Sequence, residues 1–175
     1  FIYGIYCSFI AGFHWDTLTH LKSGDNKLDY FFSLGKKHDL FAHDKYFPGI
    51  SFVISSFILR FIPDKMDIEF FHIINFTYSF VAIIAFANCL KSLFNKNVKK
   101  IFLFISLTYS VYFGHMIINP KDAVMAASYL FCYYYIFKYL KKQQKFRTDF
   151  KNFFILSLVV SIGTGVRLVF FASLA

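Results

Sequence analysis

Side chains that could do chemistry collect near the beginning of this chain. Residues 13–48 hold five of the ten acidic residues and four of the six histidines. A carboxylate can take a proton from a hydroxyl group, and a histidine can bind a metal ion. The rest of the sequence consists of apolar runs with short connectors, so we expect any chemistry to face this polar segment.

The composition indicates an integral membrane protein. Hydrophobic residues make up 57% of the chain and charged residues 17%, below the quarter or so that is usual in soluble domains. The net charge of +9 is spread between the apolar runs, a pattern that predicts membrane orientation and contact with anionic lipids and not a nucleic-acid surface. Three cysteines lie in apolar runs without metal or disulfide spacing: Cys7, Cys89 and Cys132.

The two ends of the sequence lead us to expect a fragment of a longer protein. The chain begins with Phe1, and its first apolar run of 13 residues would span about 20 Å of a hydrocarbon core about 30 Å thick. The last run stops at Ala175 without a polar tail.

We predict an all-α, polytopic protein with about five transmembrane helices. A polar outer loop with short juxtamembrane helices, punctuated by Gly24 and Gly35, would follow the first span. The stretch Tyr46–Ile62 is apolar, but Pro48, three serines and Arg60 weaken it as a sixth span. The predicted spans are 1–13 (truncated), 70–90, 101–118, 123–140 and 153–175, and the outer loop is 14–69.

The basic connectors predict the orientation. Residues 91–100 contain four lysines, and residues 138–152 contain five lysines and one arginine, whereas residues 114–122 contain only Lys121. The positive-inside rule therefore puts the first two connectors in the cytoplasm and 114–122 outside. If Tyr46–Ile62 does not span, the polar segment lies on that same outer side.

Four sequence motifs follow one another in a recognisable order. They are HWDTLTHLKSG at 14–24, DKYFPGISFVI at 44–54, GHMIINPKDAVMAA at 114–127 and GTGVRLVFF at 163–171. In this order the chain resembles the N-terminal module of the GT-C membrane glycosyltransferases, of the dolichyl-phosphate-mannose protein mannosyltransferase and aminoarabinose transferase type (family 39-like). The resemblance implies that the helix after the proline stays on the membrane surface, which leaves five spans.

The resemblance also implies an activity. Such enzymes move a sugar from a polyprenyl-phosphate carrier to a lipid, glycan or protein acceptor, here at the outer face of a bacterial plasma membrane. The reaction needs a carboxylate for the acceptor hydroxyl, cations for the phosphate leaving group and a groove that faces the lipid. Some relatives use a divalent cation and others do not, so a divalent cation stays open as a cofactor of this chain and none is assigned.

By this resemblance Asp16 is the catalytic carboxylate, although it could also be an ordinary solvated residue at a helix end. Many family members have Glu directly after this Asp, and Thr17 here weakens a scheme with two adjacent carboxylates. Asp44 is the candidate for a second carboxylate and Lys45 for a phosphate contact. A plain surface loop explains these two residues slightly better.

Two further sites could hold the phosphate. Asn119 is suited to cap the helix that follows, which would put Lys121 beside its positive end, and Asp122 would orient Lys121 or the acceptor. Arg167 lies within an apolar run, where a charge costs at least about 2.5 kcal/mol, so it should face a partner, a cavity or the carrier phosphate. Snorkelling to the outer headgroups is an equal alternative for Arg167.

A metal site and two other functions were weighed against this hypothesis. Neither His14 with Asp16 and His20 nor the group at 38–43 has a recognised ligand spacing, so no metal site is predicted. A six-span transporter or channel-like subunit would use Arg167 as a contact in its core. A non-catalytic membrane scaffold would keep the topology and tolerate the loss of Asp16.

Overall fold

The structure is a computed structural model that describes residues 1–14, 16–37, 49–142 and 150–173. Within these ranges all regular structure is helical, which confirms the all-α prediction. A short 3-10 turn at Asp64–Met66 leads directly into the fourth of nine described α-helices. The helices are α1 (Ile2–Ile10), α2 (Thr17–Phe32), α3 (Ile50–Leu59), α4 (Asp67–Leu93), α5 (Lys96–Thr108), α6 (Ser110–Ile118), α7 (Asp122–Lys142), α8 (Phe150–Val166) and α9 (Val169–Ala172).

Among the described residues, the helical stretch Asp64–Leu93 is the one helix long and apolar enough to cross a membrane by itself. Helices α5 and α6 are long and apolar enough only as a pair, and the pair is bent by 67°. Helices α3 and α8 are apolar but shorter. The predicted association with a membrane is therefore supported by one helix.

The bend between α5 and α6 divides the predicted span 101–118. Tyr109 has an extended backbone (φ −69°, ψ 99°), and the hydroxyl of Thr108 donates to the Phe104 carbonyl at 2.7 Å. Helix α6 buries Met116 and Ile117, whereas α5 has no buried residue, so the bend turns α6 into the core. No proline or glycine marks this point in the sequence, which is why the apolar run predicted a single helix.

Helix α4 is the central helix and contacts α1, α3, α5, α6 and α7. Its buried residues recur at helical spacing, and Phe76 and Ile83 form the main apolar cluster with Met116 and Ile117 of α6. Gly4 of α1 lies so close to the Phe76 ring that no side chain would fit there. Because five neighbouring helices are packed on α4, it fixes the positions of the chain segments around the candidate site.

Helices α2 and α3 pack against each other at Gly24. The sequence predicted that Gly24 separates two short helices, but α2 runs through it without interruption. A Cβ at this position would lie 2.6 Å from the carbonyl oxygen of Phe52, so the glycine serves close packing. Gly35 (φ +83°) does follow the end of α2, as predicted.

Helix α3 is too short to cross a membrane. Its ten residues rise about 15 Å, and a hydrocarbon core is about 30 Å thick. The serines that weakened this stretch as a span are buried: Ser51 donates to the Pro120 carbonyl at 3.4 Å and Ser56 donates to the Leu21 carbonyl at 3.5 Å. The serines thus hold α3 against α2 and against the turn that precedes α7.

The predicted last span, 153–175, is broken at Arg167. Helix α8 ends at Val166 and α9 begins at Val169; residues 174–175 lie outside the described ranges. The Phe170 ring folds back onto Gly163, where a Cβ would lie 2.6 Å from it, and is fully buried. This packing turns the chain at Arg167, which therefore lies at a helix end and not in the middle of a straight helix.

Candidate functional site

Three distant chain segments meet around one pocket of about 300 Å³, which we call the Asp16 pocket. Four of the predicted site residues line it: Asp16, Lys121, Asp122 and Arg167. The other two, Asp44 and Lys45, lie outside the described residues. The remaining lining residues are His14, His20, His115, Ile118, Asn119 and Pro120.

Asp16 lies immediately before α2, with its side chain half-buried at the pocket. Its carboxylate does not cap the helix. It lies 3.7 Å from Nε2 of His20, one helical turn further on. His20 is buried and its ring stacks on Phe52 of α3, with 4.5 Å between the ring centroids. The contact between α2 and α3 therefore fixes the imidazole beside the carboxylate.

Asn119 organises the beginning of α7. Its Oδ1 accepts hydrogen bonds from the backbone N–H groups of Lys121 at 3.1 Å and Asp122 at 2.9 Å. The predicted capping role of Asn119 is thus present in the structure. The start of a helix carries a partial positive charge, so this end of α7 favours an anion in the pocket.

Asp122 is held by two partners. One carboxylate oxygen lies 2.7 Å from a guanidinium nitrogen of Arg167, and the other accepts a hydrogen bond from Nδ2 of Asn119 at 3.1 Å. The sequence predicted that Asp122 orients Lys121 or the acceptor, and it did not predict the contact with Arg167. Asp122 holds Arg167, and about half of each of these two side chains remains exposed.

The pocket combines a proton acceptor with anion-binding groups. Two carboxylates, Asp16 and Asp122, are balanced by Lys121 and Arg167. A guanidinium has five N–H donors, so the contact with Asp122 leaves donors on the other nitrogens of Arg167 for an anion. The arrangement can therefore accept a proton at Asp16 and hold a phosphate between Arg167, Lys121 and the first turn of α7.

The histidines were considered in the sequence only as metal ligands. Among the residues that the structure describes, no three His, Cys, Asp or Glu side chains are arranged to hold a metal ion. The alternative group at 38–43 lies outside the described residues. His20 is instead the neighbour of Asp16, and Nδ1 of His115 lies 3.0 Å from Nδ2 of Asn119. The i, i+4 spacing of both pairs was the signal that could have revealed these contacts.

The family of this chain is not established by similarity. Comparisons with protein-family models, with curated proteins and with solved structures find no match to the chain.

Proposed function

We propose that the protein is a polytopic, inverting glycosyltransferase of the GT-C type. It would transfer a sugar from a polyprenyl-phosphate carrier to a hydroxyl group of a lipid, glycan or protein acceptor at the outer face of the membrane. The single observation that carries this proposal is the convergence of Asp16, Lys121 and Arg167 on one pocket. These are a carboxylate and two cations, the groups that the reaction requires.

In the proposed reaction the acceptor oxygen attacks the anomeric carbon of the sugar as the bond to the carrier phosphate breaks. Asp16 takes the proton of the acceptor hydroxyl, a step worth about 10²- to 10⁴-fold in rate. The polyprenyl phosphate leaves with the electron pair of the broken bond. Arg167, Lys121 and the start of α7 stabilise the charge that develops on this phosphate.

Asp122 and His20 act through other residues in this scheme. Asp122 holds the guanidinium of Arg167 in place, and its own charge keeps the resting pocket close to neutral. His20 lies beside Asp16 and restricts the position of the carboxylate. Both are therefore positioning residues.

Exposed apolar side chains support the membrane placement. Large exposed apolar patches on a soluble monomer are uncommon, whereas hydrocarbon tails would cover them in a membrane. Helices α5 and α8 each present a row of such residues outward. The exposed residues are Ile101, Phe104 and Ile105 on α5 and Phe153, Phe154 and Leu158 on α8.

The burial of the α3 serines against α2 and against the turn before α7 favours five spans over six. In this arrangement α1, α4, the bent pair α5–α6, α7 and α8 enter the membrane, and the short α3 lies at its surface. Helix α7 has 21 residues and a length of about 31 Å, with Asp122 at one end and the basic connector at the other. The positive-inside rule puts that connector in the cytoplasm and hence the Asp16 pocket on the outer side.

Replacement of Asp16 tests the proposal. Asp16→Asn in the full-length protein should lower the rate of transfer from a polyprenyl-phosphate sugar at least 100-fold, because the amide cannot accept the proton. Asp25→Asn is the matched control, since Asp25 is exposed on the same helix and does not line the pocket. Unchanged transfer by Asp16→Asn would overturn the assignment and favour a transporter or a scaffold.

A further inference from the structure

A second pocket lies between the C-terminal ends of α4 and α7. It has a volume of about 280 Å³, and we call it the lysine pocket after its two basic lining residues. Helix α7 begins at the Asp16 pocket, and a rise of about 1.5 Å per residue puts the side chains of the lysine pocket some 24 Å away along the helix. The lining residues include Asn88, Ser92, Leu93, Phe137, Lys138 and Lys141.

Three ammonium groups at this pocket have neutral hydrogen-bond partners. Among the described residues, none of the three forms an ion pair with a carboxylate. Their positive charges are therefore not compensated by carboxylates of the described residues around them. The pairs are Lys138 to Asn152 Oδ1 at 2.9 Å, Lys99 to Asn88 Oδ1 at 2.6 Å, and Lys141 to the hydroxyl and the carbonyl of Ser92.

The second half of the sequence contains few acidic residues that could compensate these three positive charges. Residues 70–175 contain twelve Lys and Arg but only two acidic residues, Asp122 and Asp149. Asp122 lies at the other end of α7 and is paired with Arg167, and Asp149 lies outside the described residues. The ends of α4 and α7 each contribute about half a negative charge, which three ammonium groups outweigh.

The walls of the lysine pocket combine these cations with apolar and aromatic surface. Leu93 and Phe137 line it, and Nζ of Lys138 lies 5.7 Å from the ring centroids of both Tyr134 and Tyr135. A ligand that fits this surface has one anionic end and one apolar end. An anionic phospholipid has both.

We propose that the lysine pocket binds the phosphate of an anionic phospholipid headgroup, with the first acyl methylenes against Leu93 and Phe137. The phosphate accepts hydrogen bonds from Lys138 and Lys141, and Lys99 adds charge at the rim. The lipid then bridges the ends of α4 and α7 on the side that the positive-inside rule assigns to the cytoplasm. This inference rests on the proposed membrane placement and does not require glycosyl transfer.

Lipid titration of the purified full-length protein in detergent tests the inference. Native mass spectrometry should show binding of phosphatidylglycerol and at least tenfold weaker binding by the double variant Lys138→Gln with Lys141→Gln. The control is Lys96→Gln with Lys100→Gln, which removes the same charge from exposed positions on α5 and should bind normally. Asp16→Asn should also bind normally, which separates this inference from the glycosyltransferase proposal.

Three results would overturn the inference. Equal weakening in both double variants would show general surface electrostatics, and equal binding of phosphatidylcholine would show that the anionic charge is not recognised. Competition by millimolar inorganic phosphate without any requirement for acyl chains would make free phosphate the ligand. If the first double variant does not fold, Lys99→Gln replaces it, and several-fold weaker binding of phosphatidylglycerol is then expected.

Discussion

The carboxylate of Asp122 lies 2.7 Å from the guanidinium of Arg167 and joins the first turn of α7 to the break after α8. The same carboxylate accepts a hydrogen bond from Nδ2 of Asn119, whose side-chain oxygen Oδ1 caps α7. The helix cap, the acid and the arginine therefore form one connected group at the Asp16 pocket. A change in any member should alter the position of the guanidinium.

Replacement of Arg167 by lysine should weaken the binding of the polyprenyl-phosphate sugar, while the free energy of unfolding should hardly change. Lysine keeps the charge but lacks the planar fork that can hold Asp122 and a phosphate together, so KM for the polyprenyl-phosphate sugar should rise about tenfold. The pair is about half exposed, so the free energy of unfolding should change by less than about 1 kcal/mol. Transfer kinetics and thermal unfolding measure the two effects separately.

Arg60→Lys is the matched control for this prediction. Arg60 also forms an exposed ion pair, with Asp29, but it does not line the Asp16 pocket. It should show a similarly small effect on stability and no effect on KM. An unchanged KM in Arg167→Lys would exclude Arg167 from the phosphate site.

Gly24→Ala should loosen the packing of α2 on α3. The added methyl group would approach the carbonyl oxygen of Phe52 to 2.6 Å, and overpacking of this kind costs about 1–3 kcal/mol. Gly114→Ala in α6 is the control, because no atom lies within 4 Å of the added Cβ, and alanine should be neutral or favourable there. Thermal unfolding in detergent compares the two variants, and an equal midpoint would contradict the packing found at Gly24.

Local sequence patterns predicted the elements better than the contacts between them. The apolar runs and the cap at Asn119 predicted two helices whose bounds are close to those of α4 and α7. The predicted five-span topology put Asp16 on the same side of the membrane as the turn before α7. The bend at Tyr109 was missed because it depends on the burial of Met116 and Ile117 by α6. Gly24 was misread because a glycine that ends a helix and one that admits a neighbouring backbone look alike in a single sequence.

The pairings within the site depend on tertiary structure in the same way. Asp122 and Arg167 are 45 positions apart and meet because α7 packs on α8. A contact over this distance in sequence cannot be predicted from local periodicity. Asp16 and His20, by contrast, are four residues apart, the spacing of neighbours on a helix, so their contact could have been predicted from the sequence. The sequence thus identified most of the chemical groups in the pocket but not which of them touch.

Acid should weaken the link between α2 and the end of α3 through Asp29. Hydrogen bonds from Lys37 and then from Arg60 hold the pKa of this carboxyl below its ordinary value of 3.8. The folded state therefore binds the proton less readily than the unfolded state. The stability that Asp29 contributes is complete above about pH 4 and is lost as the pH falls through the lowered pKa.

Asp29→Asn tests this pH dependence. The variant should be slightly less stable than the parent at pH 7, and the difference should shrink as the pH falls through the lowered pKa of Asp29 and the parent carboxyl takes up its proton. Asp25→Asn serves as the control because Asp25 is an exposed acid on the same helix. Thermal unfolding over pH 2–7 measures the difference, and a constant difference across this range would contradict the ion-pair explanation.

Cysteine labelling should distinguish five spans from six. In the five-span arrangement the end of α2 lies outside, because α3 is too short to carry the chain across the membrane. Lys36→Cys should therefore react with a membrane-impermeant maleimide in intact cells, whereas Lys96→Cys should react only after permeabilisation. Both positions are exposed. The parent carries Cys7→Ser, since Cys7 is partly exposed while Cys89 and Cys132 are buried. Protection of both engineered cysteines in intact cells would put the polar segment in the cytoplasm and favour the six-span transporter.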